Sequence, residues 1–99
     1  MKKQLLIDNK IELQDYCQKN QINYFGIFGS FARGEEKDDS DIDIMVDFEE
    51  TKSLMKIGGI QYDLEEMLGR PVDLVSRKNI KPSIKKNILN DTKVLYEKR

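Results

Sequence analysis

Two aspartates separated by one isoleucine, Asp41 and Asp43, are the strongest candidates for catalytic or metal-binding residues in this chain. They begin a segment with strand-like alternation, and alternate residues of a strand point to the same face of a sheet. At about 3.3 Å per residue their Cα atoms lie about 6.6 Å apart, so the two carboxylates can converge on cations between them. The chain has no histidine. Any metal must therefore be held by oxygen, which favours magnesium or manganese over zinc.

Asp73 is the candidate for a third carboxylate. A two-metal site, with ions about 3.5–4 Å apart, activates an attacking oxygen and shields a leaving phosphate. Such a site needs a further carboxylate from a neighbouring strand. Asp73 lies between Val72 and Leu74 in a short β-rich segment. Because the side chains of a strand alternate, Val72 and Leu74 can face the core while Asp73 faces the metals.

Gly29 and Ser30 form a candidate phosphate-binding turn where a β-rich segment gives way to a short helix. Gly29 allows a phosphate to approach the backbone, and the free N–H groups at the start of a helix favour its negative charge. The Ser30 hydroxyl adds a donor. Arg33 either supports the loop through a carboxylate or reaches a phosphate itself. We assign Arg33 and Ser40 to nucleotide binding together with Gly29 and Ser30.

Each of these features also has an ordinary structural interpretation. An isolated Asp-x-Asp is more often solvated surface than a metal site, a Gly-Ser pair is common in turns, and Asp73 alone suits an edge strand. Their occurrence together, on two strands and the turn before them, favours the functional interpretation. Arg77 and Lys78 follow the third strand and have a weaker case: they could meet a triphosphate, but a solvated loop is favoured.

Short helices and strands that alternate along the chain must position these residues. Hydrophobic periodicity predicts helices over about 3–20, within 30–34, over 54–68 and from Pro82 onward, the last with Ile80, Ile84 and Ile88 aligned on one stripe. Strands are predicted over 22–28, 42–48, 72–75 and 94–96. This order predicts an α/β (α+β) fold, with a small mixed β-sheet and helices packed on one face.

The strand over 42–48 is the clearest and carries two distinct faces. Its core face is formed by Ile42, Ile44, Val46 and Phe48, and its polar working face by Asp41, Asp43, Met45 and Asp47. Ser53 is predicted to cap the following helix, although Gly58 and Gly59 inside that helix each cost about 1 kcal/mol relative to alanine.

Composition bounds the class of protein. Ninety-nine residues suit one domain, 1–99, and the charges nearly cancel at 17 basic against 18 acidic residues. A dedicated nucleic-acid binder normally carries a basic excess, so nucleic acid is an unlikely partner. The single cysteine, Cys17, suits a reducing cytoplasm, and the chain has no run of 18 apolar residues that would span a membrane.

Gly29-Ser30-Phe31-Ala32-Arg33-Gly34 followed by Ser40-Asp41-Ile42-Asp43 resembles the signature of the DNA polymerase β-type nucleotidyltransferase superfamily. More closely it resembles the minimal nucleotidyltransferases, or MNT proteins, of prokaryotes. The resemblance extends over almost the whole chain, including the strands around Asp73 and Leu95. It implies the polymerase β palm-like fold, two Mg²⁺ ions on Asp41, Asp43 and Asp73, Asp73 as base, and the triphosphate of ATP on Gly29 and Ser30.

The resemblance also implies a partner. Larger members of the superfamily carry a helical domain that holds the acceptor, and this chain stops at Arg99, so we expect another molecule to present the acceptor. For MNT proteins that molecule is a HEPN-domain toxin. The implied function is that of a cytoplasmic antitoxin that moves AMP from ATP onto a tyrosine of the toxin.

Three alternatives remain open at this point. The chain can be an antitoxin that neutralises its partner by occlusion without transfer. It can be a transferase for a small molecule, with an acceptor pocket completed by a second subunit. An RNA acceptor is the weakest alternative because of the near-neutral charge, although the basic segment over 77–86 keeps it under consideration.

Overall fold

Helices and strands alternate along the computed structural model, which describes residues 9–35, 37, 40–50 and 52–98. The helices are α1 (Lys10–Lys19), α2 (Ser30–Arg33), α3 (Leu54–Leu68) and α4 (Pro82–Asp91), with a 3₁₀ turn at Arg77–Asn79. The strands are β1 (Ile22–Phe28), β2 (Ile42–Phe48), β3 (Val72–Ser76) and β4 (Lys93–Glu97). The predicted order of elements is confirmed, and the predicted bounds of β1, β2 and α3 agree residue for residue.

Strands β3 and β4 extend one or two residues beyond their predicted bounds, and the larger differences lie in the first and last helices. The start of the predicted first helix, residues 3–8, lies outside the described residues, within which α1 begins at Lys10. Helix α4 buries none of its residues, and Ile84 on its predicted apolar stripe is 47% exposed. Helix α4 is therefore a surface helix. Among the helices described, none is long and apolar enough to span a bilayer.

A mixed sheet in the order β3-β2-β1-β4 joins the four described strands. Strand β1 pairs antiparallel with both β2 and β4, whereas β2 and β3 run parallel. Parallel neighbours cannot be joined by a tight turn, and α3 provides the crossover between β2 and β3. The predicted small mixed sheet is thus confirmed.

The hydrophobic core lies on the face of the sheet that α1 and α3 cover. Alternate residues of β2 enter it, and the helices contribute residues at helical spacing. Its buried members are Leu13, Cys17, Ile22, Phe25, Ile27, Phe31, Ile42, Ile44, Val46, Ile60, Leu64, Leu68 and Val72. The predicted packing of helices on one face is confirmed for these two helices.

The opposite face is not polar throughout. Met45, which the alternation assigns to the polar face, is fully buried. Its partner on β1 is Gly26, where an added Cβ would lie 2.5 Å from Cγ2 of Thr92. The chain between α4 and β4 therefore approaches this face closely, and the middle of the face is apolar while its ends carry the charges.

Helix α3 begins at the predicted cap and contains two glycines that its surroundings do not require. The Ser53 hydroxyl accepts a hydrogen bond from the N–H of Lys56 at 3.2 Å, as an N-cap does. A Cβ added at Gly58 or Gly59 would meet nothing within 4 Å. Replacement of either glycine by alanine therefore restores helix propensity without a clash.

We expect Gly58→Ala and Gly59→Ala each to raise the free energy of unfolding by about 0.5–1 kcal/mol, measured by chemical denaturation. Gly26→Ala is the matched control, because its Cβ would press on Thr92, and it should lower the free energy of unfolding. A loss of stability in both helix variants would show that this surface of α3 is not free to accept side chains.

Candidate active site

Asp43 of β2 and Asp73 of β3 are direct neighbours in the sheet. The two strands run parallel, and their register pairs Asp43 with Asp73. Paired positions of neighbouring strands project to the same face, and such strands lie about 4.8 Å apart. The structure thus brings together, on the face opposite the core, two of the carboxylates that the sequence nominated.

Gly29 turns the chain from β1 into α2 against the side chain of Asp43. Phe28, the residue before it, is the β1 partner of Asp43. Gly29 has φ +74° and ψ −149°, a conformation that only glycine adopts readily. A Cβ at this position would lie 2.1 Å from Oδ2 of Asp43. The Asp43 carboxylate therefore occupies the space that a side chain at position 29 would fill.

The Asp43 carboxyl lies in an acidic environment. Burial is the main cause that raises the pKa of Asp43 above its usual value, and the charges of Asp73 and Asp41 raise it further, while Arg33 acts in the opposite direction. Asp41 stands just before β2 and is exposed, as is Asp73. All three nominated aspartates are thus close enough to interact through their charges, and a cation would relieve their repulsion.

Arg33 lies at the end of α2 between acidic side chains. Its Nε donates to Glu35 at 2.9 Å, and its Nη1 lies 3.7 Å from Asp91 at the end of α4. The charge of Arg33 also lowers the pKa of Asp43. The interpretation of Arg33 as a support of the loop through carboxylates therefore has direct contacts in its favour, and its assignment to nucleotide remains a prediction.

Ser30 and Ser40 have different surroundings. Ser30 opens α2, and its carbonyl oxygen accepts from the N–H of Glu35 at 2.8 Å. The Ser40 hydroxyl accepts from the N–H of Lys37 at 2.7 Å, and its own N–H donates to the carbonyl of Lys37 at 3.1 Å. The Ser40 hydroxyl thus serves the turn that leads into β2, and its predicted contact with nucleotide stays a prediction.

Two contributors to this region were missed from the sequence. Asp91 reaches Arg33 from the end of α4, and Arg70 contacts the chain before Asp41. Asp91 lies 58 positions after Arg33 along the chain. Local spacing carries no signal for partners so far apart, and Arg70 likewise lies 30 positions from Ser40.

Arg77, for which the sequence favoured a solvated loop, has a side chain that is 31% exposed and paired. Its Nη2 donates to Asp47 at 2.8 Å, and its guanidinium lies 4.1 Å from the ring centroid of Tyr24. Lys78 also approaches Asp47, at 3.7 Å. Arg77 is therefore a half-buried, paired residue, whereas the side chain of Lys78 is 72% exposed, as expected of a solvated segment.

The donor set fits Mg²⁺. Asp41, Asp43 and Asp73 offer carboxylate oxygens, the ligands that Mg²⁺ prefers. Burial raises the pKa of the Cys17 thiol to about 12, which leaves it protonated and unsuited to bind metal. Among the described residues, no group of three or more acidic, cysteine or histidine side chains is already gathered to hold a metal. Because like charges repel, the three aspartates would need the cation itself to draw them closer.

The structure thus sets the Gly29 turn against Asp43 and places Asp73 beside Asp43 on a parallel strand. Residues 11–99 match the model of the polymerase beta nucleotidyltransferase family. The chain belongs to this family. It is 44% identical over 87 residues to the protein adenylyltransferase MntA of Thermococcus cleftensis. The aligned residues make up 88% of this chain and 85% of that protein.

Solved structures with the same fold support this assignment. One is the structure of a proposed minimal nucleotidyltransferase, which is 31% identical and superposes with a TM-score of 0.82. The match covers 94% of this chain and 95% of the other chain. A chain from the complex of a tri-AMPylated Shewanella oneidensis HEPN toxin with an MNT antitoxin has a TM-score of 0.70. That match is 20% identical, covers 98% of this chain and 73% of the other, and shows a common fold.

Proposed function

We propose that this protein transfers AMP from ATP to a tyrosine hydroxyl of a partner HEPN toxin and thereby acts as the toxin's antitoxin. Membership of the nucleotidyltransferase family supports the type of reaction. The name of the Thermococcus relative supports AMP as the group and a protein as the acceptor. The complex of an AMPylated HEPN toxin with an MNT antitoxin supports the class of partner.

One observation carries the proposal: the Asp43 carboxylate lies against Gly29 and beside Asp73. A phosphate bound at the Gly29 turn would therefore lie beside the carboxylates of Asp43 and Asp73. Gly29 and Ser30 would bind the triphosphate, with Arg33 and Ser40 at its border. With divalent cations between them, the turn and the acidic pair would place positive charge where the transferred phosphate develops negative charge.

Asp41, Asp43 and Asp73 would hold two Mg²⁺ ions. When bound, the ions neutralise phosphate charge and lower the pKa of the attacking hydroxyl. Burial is the largest cause of the raised pKa of Asp43, and the charges of Asp73 and Asp41 add to it. A divalent cation would offset this negative charge, which favours the interpretation.

The residues of the chain itself would orient the reactants and move one proton. Asp73 accepts the proton of the acceptor hydroxyl, and the oxygen then forms a bond to the α-phosphorus of ATP. The bond from that phosphorus to the oxygen that bridges to the β-phosphorus breaks, and its electron pair leaves with pyrophosphate. Gly29 and Ser30 hold the triphosphate while this bond is exchanged.

The exposure of the site suits an acceptor carried by another macromolecule. Asp41 and Asp73 are both exposed, so a tyrosine on a partner surface can reach them. A groove of about 470 Å³ beside α3, lined by residues such as Met55 and Tyr62, contains none of the three aspartates.

We also place the protein in the cytoplasm, in agreement with its single cysteine, which is buried with a free thiol.

Transfer of label from α-labelled ATP tests the proposal. The protein is incubated with Mg²⁺ and native cell extract, beside the Asp41→Asn/Asp43→Asn double variant. We expect label in one discrete protein band with the intact protein and none with the double variant. Label in RNA would replace the proposed acceptor with a nucleic acid. Absence of label, with the partner still captured and inhibited, would contradict transfer and favour occlusion.

A further inference from the structure

We propose that Arg70 is a positioning residue that holds the chain before Asp41 against the start of β3, the strand that carries Asp73. Arg70 follows Gly69, the C-cap of α3, and precedes Asp73 by three residues. The inference rests on the proposed magnesium-dependent transfer and concerns what keeps the carboxylates together in spite of their repulsion.

The polar contacts of Arg70 reach the connection between α2 and β2. Its Nη1 donates to the carbonyl oxygen of Ser40 at 2.6 Å and to that of Lys37 at 3.3 Å. Hydrogen bonds from a guanidinium are stronger than those between neutral groups. Ser40 immediately precedes Asp41, so Arg70 holds a backbone oxygen one residue away from a proposed metal ligand.

The same guanidinium also lies over an aromatic ring of α2. Its Cζ lies 5.1 Å from the ring centroid of Phe31, a distance that suits a cation–π contact. Phe31 is buried and directly follows Ser30. Arg70 therefore touches both the helix of the phosphate-binding turn and the chain that enters β2.

A second bond ties the same segments together. The N–H of Ile42 donates to the carbonyl oxygen of Pro71 at 3.0 Å. The chain before Asp43 is thus held to residues 70–71 both by the Arg70 side chain and by the backbone. Because the register of β2 and β3 places Asp43 beside Asp73, these ties fix the two strand ends from which all three aspartates project.

A purely structural role would have Arg70 stabilise the turn between α3 and β3. That turn has its own bond, since the Glu65 carboxylate accepts from the N–H of Val72 at 2.9 Å. The hydrogen bonds given above for Arg70 go instead to Ser40 and Lys37. Loss of Arg70 should therefore loosen the chain before Asp41 while the core persists.

Amide hydrogen exchange measured by NMR tests this inference without reference to activity. In Arg70→Gln we expect the N–H groups of Lys37 and Ser40 to exchange about tenfold faster. The N–H groups of Phe25 and Val46 in the core should exchange at the original rate. Arg77→Gln, which also removes an arginine from an aromatic ring, is the control and should leave exchange at Lys37 and Ser40 unchanged.

Binding of Mg²⁺ with a non-hydrolysable ATP analogue provides the second measurement, followed through the amide signals of Asp43 and Asp73. We expect the half-saturating Mg²⁺ concentration to rise about 10–100-fold in Arg70→Gln. Arg70→Lys keeps the charge but loses the planar fork. Its half-saturating Mg²⁺ concentration should therefore lie between those of the original protein and Arg70→Gln.

Unchanged exchange at Lys37 and Ser40, faster exchange throughout the core, or an unaltered Mg²⁺ requirement would each overturn the positioning role. Failure of the proposed function has a different signature: the intact protein would bind Mg²⁺ and the analogue but transfer nothing. The exchange and binding comparisons remain decisive for Arg70 in that case.

Discussion

Asp43→Asn is expected to reduce nucleotidyl transfer by about 10³-fold or more while the protein remains folded. Asp43 is the aspartate that both Gly29 and Asp73 adjoin, so its loss removes the carboxylate at the centre of the site. Asparagine has nearly the same shape but no negative charge to hold a cation. Transfer measured with α-labelled ATP at a saturating concentration of the partner gives the rate.

Stability should change in the opposite direction to activity. Because the folded-state pKa of Asp43 is raised, ionisation of this group costs free energy in the folded protein, and that cost is fully present once the pH exceeds the folded pKa. At neutral pH the asparagine variant avoids it, so its Tm should equal or exceed that of the original protein. Mg²⁺ with nucleotide should raise the Tm of the original protein but not that of the variant.

The control for Asp43→Asn is Asp15→Asn, which removes a carboxylate from the exposed pair with Lys19 on α1. Its rate of transfer should match that of the unchanged protein. Full activity of Asp43→Asn at ordinary Mg²⁺ concentrations would contradict the assignment of the site. An Asp43→Asn protein that loses transfer but still silences its partner would establish occlusion as the route of neutralisation.

Residues that act with near neighbours in sequence were the ones that sequence reasoning could place. The alternation of β2 assigned Ile42 and Ile44 to the core, and their burial follows from that alternation. The same parity placed Asp43 on the opposite face, and the parity of β3 placed Asp73 there. Their adjacency then needed the two strands to pair in this register. The crossover through α3 allows the parallel direction, and the register itself could not be predicted from the sequence.

Contacts between distant segments could not be predicted in the same way. Arg33 meets Asp91, and Arg70 meets Ser40, only because the strands between them pair and the helices fold back over the sheet. From the sequence alone, each of these arginines could pair with any of many carboxylates or carbonyl oxygens. The buried Met45 is a related case: its burial does not follow from the alternation of β2, and its β1 partner Gly26 lies close to Thr92, a residue distant along the chain.

Gly29→Ala should have the second large effect, because it combines a strained backbone with a direct clash. Alanine at φ +74° and ψ −149° costs about 1–3 kcal/mol of stability. Its Cβ would also lie 2.1 Å from Oδ2 of Asp43, so the carboxylate must move. A displacement of about 1 Å in a catalytic group costs about 100-fold in rate, and we expect transfer to fall by about that factor.

Gly69→Ala separates the two causes. Gly69 also has a positive φ, +68°, but an added Cβ would meet nothing within 4 Å. This variant should lose about 1 kcal/mol of stability from backbone strain and keep its rate of transfer. An equal loss of rate in Gly69→Ala and Gly29→Ala would mean that strain alone, and not the contact with Asp43, governs activity.

A double-mutant cycle between Gly29→Ala and Asp43→Ala then measures the contact itself. If the alanine at position 29 is costly because it displaces the Asp43 carboxylate, removal of that carboxylate should reduce its cost in the free energy of unfolding. Additive costs would place the Asp43 side chain elsewhere. Because the two residues belong to the proposed triphosphate turn and the proposed metal ligands, a measured coupling would show that these two parts of the site share one space.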